Sequence, residues 1–417
     1  MSASPATRQT TSIAIIGGLF FIMGWFTWLN GPLIGFVQLA FDLDVVSAFL
    51  VTFVSYLSYF VWALPASAIL DRTGMKRGMA IGLWGMAAGA VAFGEFCVRR
   101  WYPGALGGLF VIFAGLAILQ TAANPYISVL GPIESGAKRI AVMGICNKAA
   151  GLLAPWLLGT LVLHGMDDLS GQVAAADAAG KAALLDAFAA RIHLPYLAMA
   201  SVLAVLGVAI LFSPLPDLRA EQGSKTDTGG DSLFNYPHVW LGALAIFVYV
   251  GAEVMAGDAI GTYGHSFGLP LDETKFLTMG TLTAMLVGYI FGFIAIPRLV
   301  SQQSYLMGSA VLGVLLTLGA YFSSGYLSVA FVAALGFANA MMWPAIFPLA
   351  IHGLGKLIER GSALLIMGIA GGAIVPQLFA LLKERMDFQL VFMLLMVPCY
   401  LYILYFAARG HRVPPRR

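Results

Sequence analysis

The chain has 417 residues, of which 60% are hydrophobic and 10% charged, with a formal net charge of +3 and 48 glycines. A soluble domain is about 25% charged and about 45–50% apolar, so charges this sparse exclude a water-exposed globule, a disordered chain and a nucleic-acid-binding surface. Cys97, Cys146 and Cys399 lie far apart inside apolar runs, which fits neither a disulfide framework nor a zinc pattern, so no metal and no cofactor are expected.

The polar start, Met1 to Ser12, leads into an apolar run without a small-residue cleavage signal, which reads as a retained span. A helix needs about 20 mainly apolar residues to cross a bilayer. Twelve such stretches are predicted. The first six are 13–39, 47–70, 79–98, 105–130, 140–164 and 193–213; the second six are 238–265, 273–297, 305–323, 326–352, 362–382 and 388–408. Residues 165–192 read as one surface helix between spans five and six, and 214–237, rich in Asp, Gly, Ser and Lys, as a linker. The expected fold is therefore an all-α integral membrane protein: an N-terminal six-helix bundle (1–213), a cytoplasmic linker (214–237) and a C-terminal six-helix bundle (238–417).

An even span count puts both termini on one side, where fifteen Lys and Arg lie against seven on the other. The positive-inside rule places that side in the cytoplasm, as for a multi-pass protein of a bacterial inner membrane. Arg99 and Arg100 are local exceptions, and Lys148 falls inside span five. The halves also resemble each other. Pro344 follows Pro125 by 219 residues and Pro376 follows Pro155 by 221, which suggests a parallel duplication of a six-span unit.

The loop between spans two and three reads Asp71-Arg72-Thr73-Gly74-Met75-Lys76-Arg77, an acid at a helix end followed by a turn-forming glycine and bases. It resembles the signature of the major facilitator transporters, with Ser67 in place of the leading glycine. The resemblance implies that Asp71, Arg72, Gly74, Lys76 and Arg77 form a conformational-switch loop, that the substrate site lies between the halves near the midplane, and that transport proceeds by alternating access.

Leu119-Gln120-Thr121-Ala122-Ala123-Asn124-Pro125-Tyr126 in span four resembles the fucose–galactose–glucose:proton symporter group of that superfamily. So do Trp28-Leu29-Asn30-Gly31-Pro32-Leu33 in span one, Gly144-Ile145-Cys146-Asn147-Lys148 in span five and Tyr249-Val250-Gly251-Ala252-Glu253-Val254 in span seven. The Asn-Gly-Pro-Leu and Asn-Lys elements are most similar to the N-acetylglucosamine and glucose/galactose permease branch. The resemblance implies import of a neutral monosaccharide with a proton, by a monomer embedded in lipid, without enzymatic activity. It departs at two places: the fucose permease pattern has acids where this chain has Gly31 and Gln120, so coupling must use other groups.

The residues themselves supply candidates. A charge at mid-membrane costs about 2.5–3.5 kcal/mol on insertion scales, so one that is retained marks function or a buried pair. Glu253 and Asp258 in span seven are the cation-coupling candidates, with proton favoured over sodium; Lys148 either joins the substrate site or pairs with them. Amides both donate and accept, as sugar hydroxyls do, and aromatic rings pack on the apolar face of a pyranose. The substrate-binding candidates are thus Asn30, Gln120, Asn124, Asn147, Lys148 and Asn339 with Trp28, Tyr249 and Trp343. Gln38, Gln377, Trp25, Tyr126 and Tyr263 are weaker candidates, and an organic acid held by Lys148 is the alternative cargo.

Overall fold

Lipid offers no hydrogen bonds to backbone N–H and C=O groups, so long apolar runs must satisfy them internally as helices. A computed structural model describes residues 5–129, 136–215, 232–296, 299–354 and 357–414. In chain order the helices are α1 (Pro5–Thr27), α2 (Asn30–Ala40), α3 (Val45–Ala48), α4 (Leu50–Thr73), α5 (Met75–Val98), α6 (Tyr102–Val129), α7 (Gly136–Leu161), α8 (Met166–Ala175), α9 (Ala178–Ala190) and α10 (His193–Phe212). There follow α11 (Pro237–Gly257), α12 (Ile260–His265), α13 (Leu271–Thr274), α14 (Leu277–Ala295), α15 (Gln302–Tyr321), α16 (Gly325–Asn339), α17 (Met342–Ile351), α18 (Ile358–Met367), α19 (Gly371–Leu382) and α20 (Phe388–Ala408). They provide twelve stretches long and apolar enough to cross a membrane, each overlapping one expected span.

Several spans are broken, and the breaks have local causes. Proline lacks the N–H that would reach the carbonyl four residues back, and its ring clashes there. Pro32 removes the bond to Trp28, and the chain turns between α1 and α2; Pro344 removes the bond to Ala340, and it turns between α16 and α17. Each proline then sits in the first turn of the new helix, where a missing N–H costs little. Span seven breaks between α11 and α12 without a proline. There Thr281 Oγ1 donates to Ala256 O (2.6 Å) and Thr278 Oγ1 to Gly257 O (2.8 Å), so hydroxyls from α14 take over the helix-end carbonyls. The segment expected as one surface helix, 165–192, is two helices, because Asp177 accepts the Gly180 N–H (2.8 Å) and caps α9 afresh.

Close packing divides the chain into two compact units. Unit 1 comprises Met1–Leu29, Phe36–Leu43 and Val61–Ser224; unit 2 comprises Asn30–Gly35, Asp44–Phe60 and Lys225–Arg417. In unit 1 α5 and α6 meet backbone to backbone. A Cβ on Gly82 would lie 2.7 Å from Gly115 O, and one on Gly89 would lie 2.7 Å from Gly108 O. Two glycines seven residues apart on each helix thus face each other, the small-residue packing that brings membrane helices together.

The end of unit 1 remote from Asp71 accounts for the exceptional bases. Asp42 (φ 55°) and Arg100 (φ 47°) hold the left-handed positions that end α2 and α5. Arg100 donates to Ala40 O (2.9 Å) and pairs with Asp186 (3.3 Å), while Lys181 pairs with Asp42 (2.7 Å). Arg191 donates to His164 O (2.9 Å) beyond the end of α7. These cations serve helix C-termini, where carbonyls are in excess. In unit 2 Asp44 caps α3 by accepting the Ser47 N–H (2.6 Å), which holds its carboxyl below the usual carboxylate range. Lys383, just past α19, donates to Ser266 Oγ (3.1 Å), and burial pulls its ammonium below the ordinary lysine value.

Candidate functional site

In unit 1 the site residues gather where α1 approaches α7. Gly24 lies so close to Asn147 that a Cβ would strike the Asn147 carbonyl. That approach lets Trp28 Nε1 donate to Asn147 Oδ1 (3.2 Å) and Asn147 Nδ2 to Phe20 O (3.4 Å). Lys148 Nζ sits over the Trp28 ring, 4.1 Å from its centroid, with the lysine 6% and the tryptophan 2% exposed. A desolvated ammonium over an indole gains about 2 kcal/mol or more. Trp28, Asn147 and Lys148 are therefore one assembly. Gln120 on α6 is half-buried, and the side chain of Asn124 lies outside the described residues. Trp25 Nε1 points to Met199 Sδ (3.1 Å), and Tyr126 is fully buried.

The Asp71–Arg77 loop also belongs to unit 1. Gly74 has φ 79°, the conformation its place in the signature requires. Lys76 Nζ donates to Ser213 O (2.7 Å) at the end of α10, whereas Asp71, Arg72 and Arg77 are exposed.

In unit 2 the polar residues form a chain. Asn30 is fully buried and lies 3.3 Å from Ser55 Oγ through Oδ1. Ser55 also donates to Val51 O at 2.7 Å, so its single hydrogen is shared. Gly31 follows; a Cβ there would lie 3.3 Å from Asp258 Cα and within contact of Thr278 Oγ1. Asp258, 1% exposed, stands at the α11–α12 break. Tyr56 on α4 lies within electrostatic reach of both Asp258 and Glu253. Glu253 is half-buried; it accepts the Tyr249 hydroxyl, one turn away on α11, and is faced by Tyr289 on α14 and Tyr400 on α20. Tyr400 in turn donates to Asn339 Oδ1 (2.9 Å). Two bonded pairs, Tyr249 with Glu253 and Tyr400 with Asn339, therefore stand within electrostatic reach of one another, and Tyr56 lies within reach of both acids. Among the described residues, Asn30 Nδ2 and Asn339 Nδ2 are buried donors without an acceptor, an arrangement that calls for a ligand oxygen or water.

The other candidates sit apart. Trp343 is half-buried and stacks on Phe347 (5.8 Å), Tyr263 bonds Ser328 Oγ (2.7 Å) within an aromatic cluster, and Gln377 holds Val46 O (3.1 Å). Sequence reasoning missed Tyr56, Tyr289, Tyr400, Thr278 and Thr281. A signal existed for Tyr56: Thr52, Ser55, Tyr56 and Tyr59 recur at helical spacing, and all four are buried in α4.

Twelve apolar spans with broken helices and a buried polar interior define a polytopic membrane transporter rather than an enzyme. The profile of the Major Facilitator Superfamily matches residues 16–376. The glucose/galactose transporter of Brucella abortus biovar 1 (strain 9-941) is 32% identical over 402 residues, 94% of this chain and 92% of the relative. The L-fucose-proton symporter of Escherichia coli (strain K12) is 27% identical over 383 residues, 89% of this chain and 86% of the relative. The crystal structure of the E. coli fucose:proton symporter superposes with a TM-score of 0.74 at 25% identity, covering 97% of this chain and 99% of that one. That of a D-xylose-proton symporter gives 0.66 at 16% identity, covering 96% and 98%, a likeness of fold. The chain belongs to the major facilitator superfamily and, within it, to the fucose–galactose–glucose:proton symporter family.

Proposed function

We propose that the protein is a secondary active transporter that imports a neutral monosaccharide, either N-acetylglucosamine or a hexose such as glucose or galactose, together with a proton. The observation that carries this reading is the group of buried amides, carboxylates and phenols in unit 2, in which Asn30 Nδ2 and Asn339 Nδ2 have no acceptor among the described residues. Neutral amides and phenols suit hydroxyls and an acetamido carbonyl. The span-seven acids supply a group that changes charge when a proton binds, and they disfavour an anionic cargo. The relatives transport glucose, galactose or L-fucose, and the fucose relatives are proton symporters.

In this reading Asn30, Gln120, Asn124, Asn147, Lys148 and Asn339 bind the sugar with Trp28, Tyr249 and Trp343, Glu253 and Asp258 couple it to the ion, and the Asp71–Arg77 loop controls alternating access. The protein works as a monomer in the bacterial inner membrane with both termini in the cytoplasm and 214–237 joining the six-helix bundles 1–213 and 238–417. The test is uptake of radiolabelled N-acetylglucosamine, glucose, galactose and fucose by proteoliposomes under an imposed pH or sodium gradient. Accumulation of one of the first three, driven by the pH gradient and abolished by a protonophore, is the expected result. Accumulation driven by sodium alone overturns the proton assignment, and accumulation of none overturns the sugar reading.

A further inference from the structure

The two acids of span seven stand in different surroundings. Asp258 is 1% exposed, with both carboxylate oxygens shut away from solvent. It is packed at the α11–α12 break, where α2 faces it with Gly31, α14 with Thr278 and α4 with the phenol of Tyr56. Neither carboxylate oxygen has solvent-accessible surface, and a proton needs far less room there than a sugar hydroxyl does. An ionised carboxylate held there carries a heavy desolvation cost that a carboxylic acid escapes.

Glu253 is half-buried and therefore reachable. Tyr249 on α11 bonds it, and Tyr56 on α4, Tyr289 on α14 and Tyr400 on α20 lie within its electrostatic reach. Tyr249 donates to the carboxylate, and Tyr400 carries the line on to Asn339, whose Nδ2 is buried without a described acceptor. A carboxylate that accepts, phenols that donate and accept, and an amide donor together match the alternating donors and acceptors of vicinal hydroxyls. Tyr56 lies within electrostatic reach of both acids.

We propose that the span-seven acids divide the work: Asp258, sealed at the helix break, holds the coupling proton, while Glu253, within its four tyrosines, hydrogen-bonds the sugar. The assignment rests on the symport reading above and narrows it, moving Glu253 from ion coupling to sugar binding and leaving coupling to Asp258. A proton from water on one side forms an O–H bond with the Asp258 carboxylate and returns to water on the other side; no other bond is made or broken. Glu253 accepts from sugar hydroxyls on each pass. Tyr249 holds the carboxylate in place, and Tyr289, within its electrostatic reach, is assigned as a positioning residue.

The experiment uses the full chain in proteoliposomes and the sugar among N-acetylglucosamine, glucose and galactose that wild type accumulates. Equilibrium exchange, uphill accumulation and sugar-driven alkalinisation of the medium are measured side by side. Asp258→Asn should exchange with a half-saturation within about twofold of wild type while losing accumulation and alkalinisation. Glu253→Gln should raise the exchange half-saturation at least tenfold while still moving protons with sugar at saturation. Glu253→Asp should recover part of the affinity, and Tyr289→Phe should raise the half-saturation several-fold with accumulation retained; both guard against a misfolded Gln variant. Glu253→Gln with wild-type affinity and lost accumulation, or Asp258→Asn with weakened affinity and intact alkalinisation, overturns the division while leaving symport standing. Accumulation of none of the three sugars by wild type overturns both.

Discussion

The contact between Gly31 and Thr278 gives a stringent test, because it joins the broken span one to the broken span seven within unit 2. An added methyl at Gly31 would lie under 3.0 Å from Thr278 Oγ1 and 3.3 Å from Asp258 Cα. Backbone cannot retreat readily, so the threonine must rotate and surrender its 2.8 Å bond to Gly257 O. The lost bond is worth about 1 kcal/mol, and the stranded carbonyl adds about 1–3 kcal/mol, so Gly31→Ala should destabilise by about 2–4 kcal/mol. For a unit of this size, at about 2–4 °C per kcal/mol, the melting temperature should fall by about 4–16 °C. Thr278→Ala should cost about 1–3 kcal/mol alone by the same carbonyl argument. In the double variant the hydroxyl clash is gone and the carbonyl is already stranded. Its loss should therefore be close to that of Thr278→Ala, a non-additivity of about 2–4 kcal/mol, the whole Gly31→Ala cost. Melting of the four purified proteins in one detergent measures the cycle. Additive losses, or a Gly31→Ala protein that melts with wild type, would refute the reasoning.

Two further predictions address unit 1 and the capped start of α3. Trp28→Phe keeps a ring beneath Lys148 but removes the N–H that holds Asn147 Oδ1 at 3.2 Å; one hydrogen bond of about 0.5–1.5 kcal/mol should appear as an exchange half-saturation about two- to tenfold higher at an unchanged maximal rate, and an unchanged half-saturation would detach Trp28 from the binding role of Asn147. The Ser47 N–H holds the folded Asp44 carboxyl below its ordinary value, so its contribution to stability is fully present above the unfolded carboxylate value and is lost as pH falls through the depressed folded value; Asp44→Ala should melt below wild type at pH 7, and the gap should narrow in acid, measured as melting curves against pH.

Much of this protein was legible in the order of its residues. Hydropathy sets the twelve spans, because a helix is the local solution for apolar backbone in lipid. Pro32 and Pro344 fix two of the helix breaks four residues upstream, through a bond that the ring itself removes. Tyr249 and Glu253, one turn apart, announce their contact by spacing alone. The break at Asp258 was not legible, since it is held by Thr278 and Thr281 from another helix. Nor was the single surface helix 165–192 correct, because the Asp177 cap outweighed the alanine run around it.

The polar chain of unit 2 is a tertiary construction. Tyr56, Glu253 and Tyr400 come from helices far apart in sequence, and none has a local signature that names the others. What unites them is close helix packing: Gly372 leaves room for Tyr56, where a Cβ would lie 2.8 Å from the ring, and Gly31 leaves room for Thr278 beside Asp258. Sequence thus determined which groups were too costly to bury without purpose. Only the packing of backbone on backbone decided which acid is sealed and which is open, because exposure belongs to the neighbours a side chain meets and not to the residues beside it in the chain.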